Sequence, residues 1–319
     1  MYWRQLLKRG FALLGLIIWM AVLFSVGSTY LGPQMQNSLS PAEKNFAGLA
    51  LLIVCTADTL LLAKFMLVSR VYGWRLMVIT ALLYYGVKTF QADIEAVYFM
   101  RNMTPDLAPR LFMMMLPVTL CWPPVAVWLL GKARQPVGAG AEASPLPPMR
   151  TGTWVWKLAL LGIVVYPLLF FSFGYYVAWQ NPSVRAFYNG TDPGSFLLQM
   201  RNLIGGDPFI LPFEFFRGLL WAGMAALFLW TIKDRPWLAC LLLALIFAVI
   251  ENDSHLFPNP LMPAIVRQTH FIETASSNFI FGLMAAVLLM ARPVARSNRA
   301  PLNAKPLDAA LKGSAVKGH

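Results

Sequence analysis

The chain has 319 residues, 58% of them apolar and only 13% charged, with a mean hydropathy of +0.59. Those values exclude an ordinary soluble globule. A net charge of +12 suggests nucleic acid, but the charges sit in short clusters between apolar runs of membrane length, so the expected partner is the lipid bilayer and no nucleic acid.

Taken in chain order, eight runs are long and apolar enough to cross a bilayer as helices: Phe11–Gly32, Phe46–Val68, Leu76–Met100, Leu111–Leu130, Leu158–Trp179, Phe213–Ile232, Trp237–Phe257 and Phe271–Met290. Run length selects helices over barrel strands, which alternate polar and apolar. Lys8 and Arg9 before the first run resemble a signal peptide. The run is longer than a signal core, and no small-residue cleavage site follows it, so it reads as a retained span. With the N-terminus in the cytoplasm, seventeen Lys and Arg lie in inside segments and six outside, while Lys64, Lys88 and Arg217 lie within spans. That is the positive-inside bias of eight spans with both termini cytoplasmic. Short loops point to a bacterial inner (plasma) membrane.

The first and fifth spans resemble each other: Ala12, Leu13, Leu14 and Gly15 match Ala159, Leu160, Leu161 and Gly162, and Phe24, Ser25 and Gly27 match Phe171, Ser172 and Gly174. Trp74 and Trp237 open the third and seventh spans. Ala126, Val127 and Leu129 match Ala286, Val287 and Leu289 in the fourth and eighth. The fold class is therefore all-α: a polytopic integral membrane protein of eight transmembrane helices, arranged as two parallel four-helix repeats. Four spans per half is an even number, so the repeats enter the membrane in one sense. Residues 1–130 form the first repeat, 131–150 a flexible cytoplasmic linker rich in Gly, Ala and Pro, 151–290 the second repeat, and 291–319 a disordered basic cytoplasmic tail. In the loop 180–212, Asp192-Pro-Gly-Ser reads as a helix start. Phe196, Leu197, Met200, Leu203 and Ile204 follow helical spacing up to Gly205-Gly206, as in a helix lying on the outer membrane surface.

The third and seventh spans are both interrupted. Leu76–Val87 is clean before Lys88, Gln91, Asp93 and Glu95. Leu238–Ile250 is clean before Glu251, Asn252, Asp253 and His255. Paired interruptions at matching places in two repeats are a sequence pointer to a transporter-like site, and ionisable groups at that depth are generally functional. Lys88 and Glu251 stand equally far beyond Trp74 and Trp237. They are expected at one depth with opposite sign, as an ion pair joining the halves or as ligands. Tyr84, Lys88, Gln91 and Glu95 stripe one face of the third helix, and with Glu251 they form the expected substrate-binding set. Polar residues also open the eighth span (His270, Glu273, Thr274, Ser277, Asn278) and the sixth (Glu214, Arg217).

The leading function is transport of a small polar solute or ion through a site in the outer half of the bilayer between the third and seventh helices. The alternative is a membrane-embedded enzyme acting on a lipid or lipid-linked substrate at the outer leaflet, with Glu95, Glu251, His255, His270 and Glu273 as acid–base groups. A second alternative is a non-catalytic scaffold whose polar faces are inter-helix glue, with its protein partners unspecified. His270 and Glu273 also have the spacing of a helical metal-ligand pair, as for zinc or another divalent ion, although no cofactor is expected and no HExxH accompanies them. Phosphate-loop, nucleophile-elbow and haem signatures are absent. The odd cysteines, Cys55, Cys121 and Cys240, read as membrane-core packing. Asn102, Asn189 and Asn252 are glycosylation acceptors by pattern alone.

Overall fold

The computed structural model describes residues 2–32, 39–100, 103–137, 142–233, 235–259 and 261–292, with side chains from residue 7. The expected tail lies outside these residues from 293 onward, as do Asn102 and part of the linker. We label the helices α1 (Tyr2–Ser28), α2 (Pro41–Val68), α3 (residues 73–99), α4 (Leu107–Leu129), α5 (Thr151–Ala178), α6 (Pro182–Phe187), α7 (Phe196–Gly206), α8 (Ile210–Thr231), α9 (Pro236–Leu256) and α10 (Ala264–Met290). Among the described residues every regular element is a helix, and the one isolated bridge joins Ser69 to Ile232. Seven helices, namely α1, α2, α4, α5, α8, α9 and α10, are long and apolar enough to span a membrane. The chain is therefore an all-helical, multi-pass membrane protein. α3 is as long, but its second half carries Lys88, Gln91, Asp93 and Glu95.

Local chemistry sets the helix ends. At α2, Ser40 accepts from the Glu43 amide, the Glu43 carboxylate reaches back to the Ser40 amide, and Pro41 occupies the first turn. α7 starts where Ser195 accepts from the Leu198 amide and ends at Gly205-Gly206. Several helices are locally widened into π turns: Gly86–Phe90 in α3, Leu160–Val165 and Gly174–Ala178 in α5, and Ile246–Ile250 in α9. In α5 the first of these lies just before Pro167, whose missing N–H and bulky ring break the regular ladder.

α1 packs on α2 and α4, and α3 on α4. α5 packs on α8 and α10, and α9 on α10. Between the halves, α2 meets α9, α3 meets α8, and the π turns of α3 and α9 touch. The residue step from Trp74 to Trp237 also carries Phe65 to Phe228, and these two rings stack at 5.3 Å. It carries Ser69 to Ile232, the bridged pair, and Arg70 and Val68 to Lys233 and Thr231. The Arg70 amide donates to the Thr231 carbonyl at 2.9 Å, and the Lys233 amide to the Val68 carbonyl at 3.1 Å. Two pairs at this step, Ser69 with Ile232 and Phe65 with Phe228, therefore stand opposite each other, flanked by these two crossed hydrogen bonds.

The core is filled by Tyr84, Phe65, Trp221, Phe228, Phe247 and Phe281, all buried. Lipid is as apolar as these side chains, so close van der Waals fit holds the helices together. Small residues provide it. A Cβ at Gly218 of α8 would overlap the Gly162 carbonyl of α5, and one at Gly282 of α10 would stand 2.7 Å from the Ala244 backbone of α9. Ser69, Lys132 and Thr231 share one end of the bundle, here the linker end. Asp207, His255 and His270 share the other, the cavity end.

Candidate functional site

The π turn in α3 splits the expected polar stripe in two. Adding a residue to one turn rotates everything after it. Tyr84 and Lys88 therefore face α2 and α9. Tyr84 Oη donates to Asp58 Oδ2 at 2.9 Å, and Lys88 Nζ lies 3.4 Å from the same oxygen and donates to Asp253 Oδ1. Gln91 and Glu95 face α8, where Gln91 Nε2 donates to the Arg217 carbonyl at 3.0 Å and Glu95 pairs with the Arg217 guanidinium. The expected Lys88–Glu251 pair does not form. Glu251 instead accepts from Asn278 Nδ2 at 3.1 Å. Asp58, missed as a partner, had one signal in the sequence: it is the one carboxylate inside the second span.

The cluster around Lys88 is sealed, and the one around Arg217 is sealed except at Glu95, whose side chain is 26% exposed. The Lys88, Asp58 and Asp253 side chains are at most 2% exposed. Arg217 is also bound by both Glu214 oxygens, at 3.2 and 3.1 Å, and lies within 5.7 Å of the ring centres of Tyr166, Phe170 and Phe213. Two carboxylates and three aromatic faces thus compensate its charge. Of the five residues expected to bind substrate, Tyr84, Lys88 and Gln91 are consumed by structure. Only Glu95 and Glu251 reach open space.

That space is a cavity of about 340 Å³ at the cavity end, between the ends of α3, α5 and α9 and the start of α10, roofed by α6 and α7. Its walls are mainly aromatic and aliphatic, from Phe99, Phe170, Phe171, Trp179, Met200 and Leu203. The polar groups gather elsewhere on its surface: Glu95, Glu251, His255, His270, Glu273 and Thr274. Beneath lies a void of about 10 Å³ that shares Glu95 and Glu251 and adds Arg217, Ser277 and Asn278, about the room of a single water. The helix read from the sequence as lying on the membrane surface is the roof. Gln199, Met200 and Leu203 of α7 line the cavity, while Leu197 is 78% exposed on the other side.

Three side chains in the wall form a line. Glu273 Oε2 lies 2.7 Å from His270 Nδ1, one turn apart on α10, and His270 Nε2 lies 3.1 Å from Tyr188 Oη. In the neutral imidazole the carboxylate favours the proton on Nδ1, which leaves Nε2 as the acceptor toward Tyr188 and the cavity. Burial, with the charges of Glu95 and Glu273, pushes the Tyr188 hydroxyl well above the usual tyrosine range, so it stays protonated as a donor. His255 is held apart by its own contact, Nδ1 at 3.1 Å from the Asn252 carbonyl, and Asn252 Oδ1 accepts from Thr274. Among the described residues no three His, Cys, Asp or Glu side chains gather as metal ligands, and His270 and Glu273 direct their ligating atoms at each other. The cysteines are free: Cys55 and Cys240 are buried and Cys121 is exposed.

No protein-family model, curated protein or solved structure matches the chain. Its functional reading therefore rests on the geometry above.

Proposed function

We propose that this chain is an eight-span membrane protein of two parallel repeats whose cavity holds an amphiphile and whose His270 works on the amphiphile's polar head, as in a membrane-embedded enzyme for lipid-like substrates. The repeat is supported by the junction of α2 and α8, where Ser69 pairs with Ile232 and Phe65 with Phe228. Counterparts meet in this way around a two-fold axis along the membrane normal. α3 serves as the eighth span, its polar half turned onto α2, α8 and α9 and away from lipid. The basic linker end, with Lys132, Arg150 and Lys233, lies in the bacterial cytoplasm, and the cavity opens toward the outer leaflet.

One observation carries the catalytic part: the Glu273–His270–Tyr188 line in the wall of a largely apolar cavity. Walls of that kind take the chain of an amphiphile, while the few polar groups receive its head. A head hydroxyl or amine replacing Tyr188 donates its hydrogen bond to His270 Nε2, the position of a general base, and Glu273 would stabilise the imidazolium formed when the proton is transferred as the head reacts. The test is mass spectrometry of lipids extracted from purified protein. Wild type and His270→Ala should both carry a cavity-dependent amphiphile, unconverted in His270→Ala, and Ala178→Trp, which fills the wall, should carry none. The same lipid profile in all three proteins would refute the proposal.

A second reading, transport of a small polar solute or ion, is favoured by the sealed Asp58–Lys88–Asp253 cluster, which joins α2 and α3 of one half to α9 of the other. Charges at such a junction suit halves that move against each other. It requires that Glu95→Gln or Glu251→Gln stop solute uptake into proteoliposomes.

A further inference from the structure

We infer that the amphiphile bound in this cavity has a cationic, ammonium-type head; the inference rests on the amphiphile reading above and specifies its ligand. The cavity presents four carboxylates: Glu95, Asp207, Glu251 and Glu273. Glu95 shares the Arg217 cation with Glu214, and Glu273 faces His270. Glu251 and Asp207 form no ion pair among the described residues, although Arg217 and Lys88 lie near enough to act on the Glu251 charge. Glu251 is only 3% exposed, yet it lines both the cavity and the void beneath it. One of its oxygens accepts from Asn278, and the other has no hydrogen bond among the described residues. Asp207 marks the mouth, where its Oδ2 accepts from Tyr98 Oη at 2.6 Å. Carboxylates without a direct ion pair thus stand at the mouth and at the floor.

A buried carboxylate lacking a cation is costly, and a bound cation supplies what is missing. An anionic head, such as a phosphate, would meet the same carboxylates without a free cation to receive it, because Arg217 is already held by two carboxylates. The walls add to the preference. Phe170 lines the cavity and already faces the Arg217 cation at 5.6 Å, and Phe171, Tyr175 and Trp179 offer further aromatic surface to a bound ammonium. A neutral head would find hydrogen bonds here but would leave Glu251 uncompensated.

The experiment is isothermal titration of the full chain in nanodiscs with octylammonium, octanol and octanoate, with empty nanodiscs as the blank. Octylammonium should saturate at one site at least tenfold tighter than octanol, octanoate should show no saturable binding, and Glu251→Gln should remove that preference. Should Glu251→Gln fail to fold by thermal melt, Asp207→Asn tests the same preference from the mouth. Equal binding of octylammonium and octanol, unmoved by either variant, would overturn the cationic head and leave the amphiphile cavity standing. Preference for octanoate would likewise overturn it. Saturable binding of none of the three would overturn the cavity reading itself.

Discussion

Replacing Lys88 by Met removes the one ammonium that stands between Asp58 and Asp253, at nearly unchanged side-chain length. At 3.4 Å and an effective dielectric near ~20, the Asp58 contact alone represents ~5 kcal/mol of Coulomb energy. Desolvation of the lysine offsets part of this, and breaking a buried pair typically costs ~3–5 kcal/mol because a charge is left uncompensated. Two carboxylates lose their partner here, so the loss is expected at the upper end of that range. Removing the second charge as well, in Lys88→Met with Asp253→Asn, should recover ~2 kcal/mol or more. Combining Lys88→Met with Glu251→Gln should give a smaller coupling than the Asp253 pair, since Lys88 and Glu251 feel each other's charge but form no ion pair. The assay is unfolding by sodium dodecyl sulfate titrated into dodecyl maltoside micelles, read by circular dichroism. Additivity with Asp253, or a larger coupling with Glu251, would refute the assignment of partners and the rotation introduced by the π turn.

Gly218→Leu should prevent stable accumulation in the membrane, because its side chain would enter the Gly162 backbone, whereas Gly223→Ala, with nothing within 4 Å, should change stability by less than ~1 kcal/mol; equal behaviour of the two in an expression and melting assay would contradict the close approach of α5 and α8. Ser69→Cys with Ile232→Cys, in a chain lacking the three native cysteines, should form an intramolecular disulfide, since bridged Cα atoms stand ~4.5–5.5 Å apart; cross-linking between copies only, on a non-reducing gel, would contradict the junction. Burial lowers the Lys132 amine from its ordinary 10.5 to about 8. Between those values the unfolded chain binds a proton that the folded chain does not, so stability should rise with pH across that window and the rise should vanish in Lys132→Met.

The sequence was most legible where it was most repetitive. Apolar runs located the spanning helices because burying backbone in lipid demands long uninterrupted helices. The interruptions at Lys88 and Glu251 drew attention to α3 and α9, and both do carry π turns there. What stayed hidden was rotation. A π turn has no fixed residue signature, so helical spacing placed Tyr84, Lys88, Gln91 and Glu95 on one face when the structure divides them between two partners. Asp58 and Arg217 were visible as charges inside spans, but which charge meets which depends on crossings between helices far apart in sequence. The cavity was half legible. Glu95, Glu251, His255, His270 and Glu273 all line it, as a polar start to the eighth span suggested. The roof was read as a surface helix because an amphipathic segment has the same pattern whether its apolar face meets lipid or a cavity.

The central claim is that the cavity between α3, α5, α9 and α10 is the working site and that it holds an amphiphile against His270. Its most direct test is an experimentally determined structure of the full chain in nanodiscs of native lipid. The expected result is chain density along Phe170, Phe171 and Trp179, ending in a head group within hydrogen-bond distance of His270 Nε2 and beside Glu251. A cavity closed by repacking of α7, or filled only by ordered water in contact with Glu251 and His270, would contradict the claim.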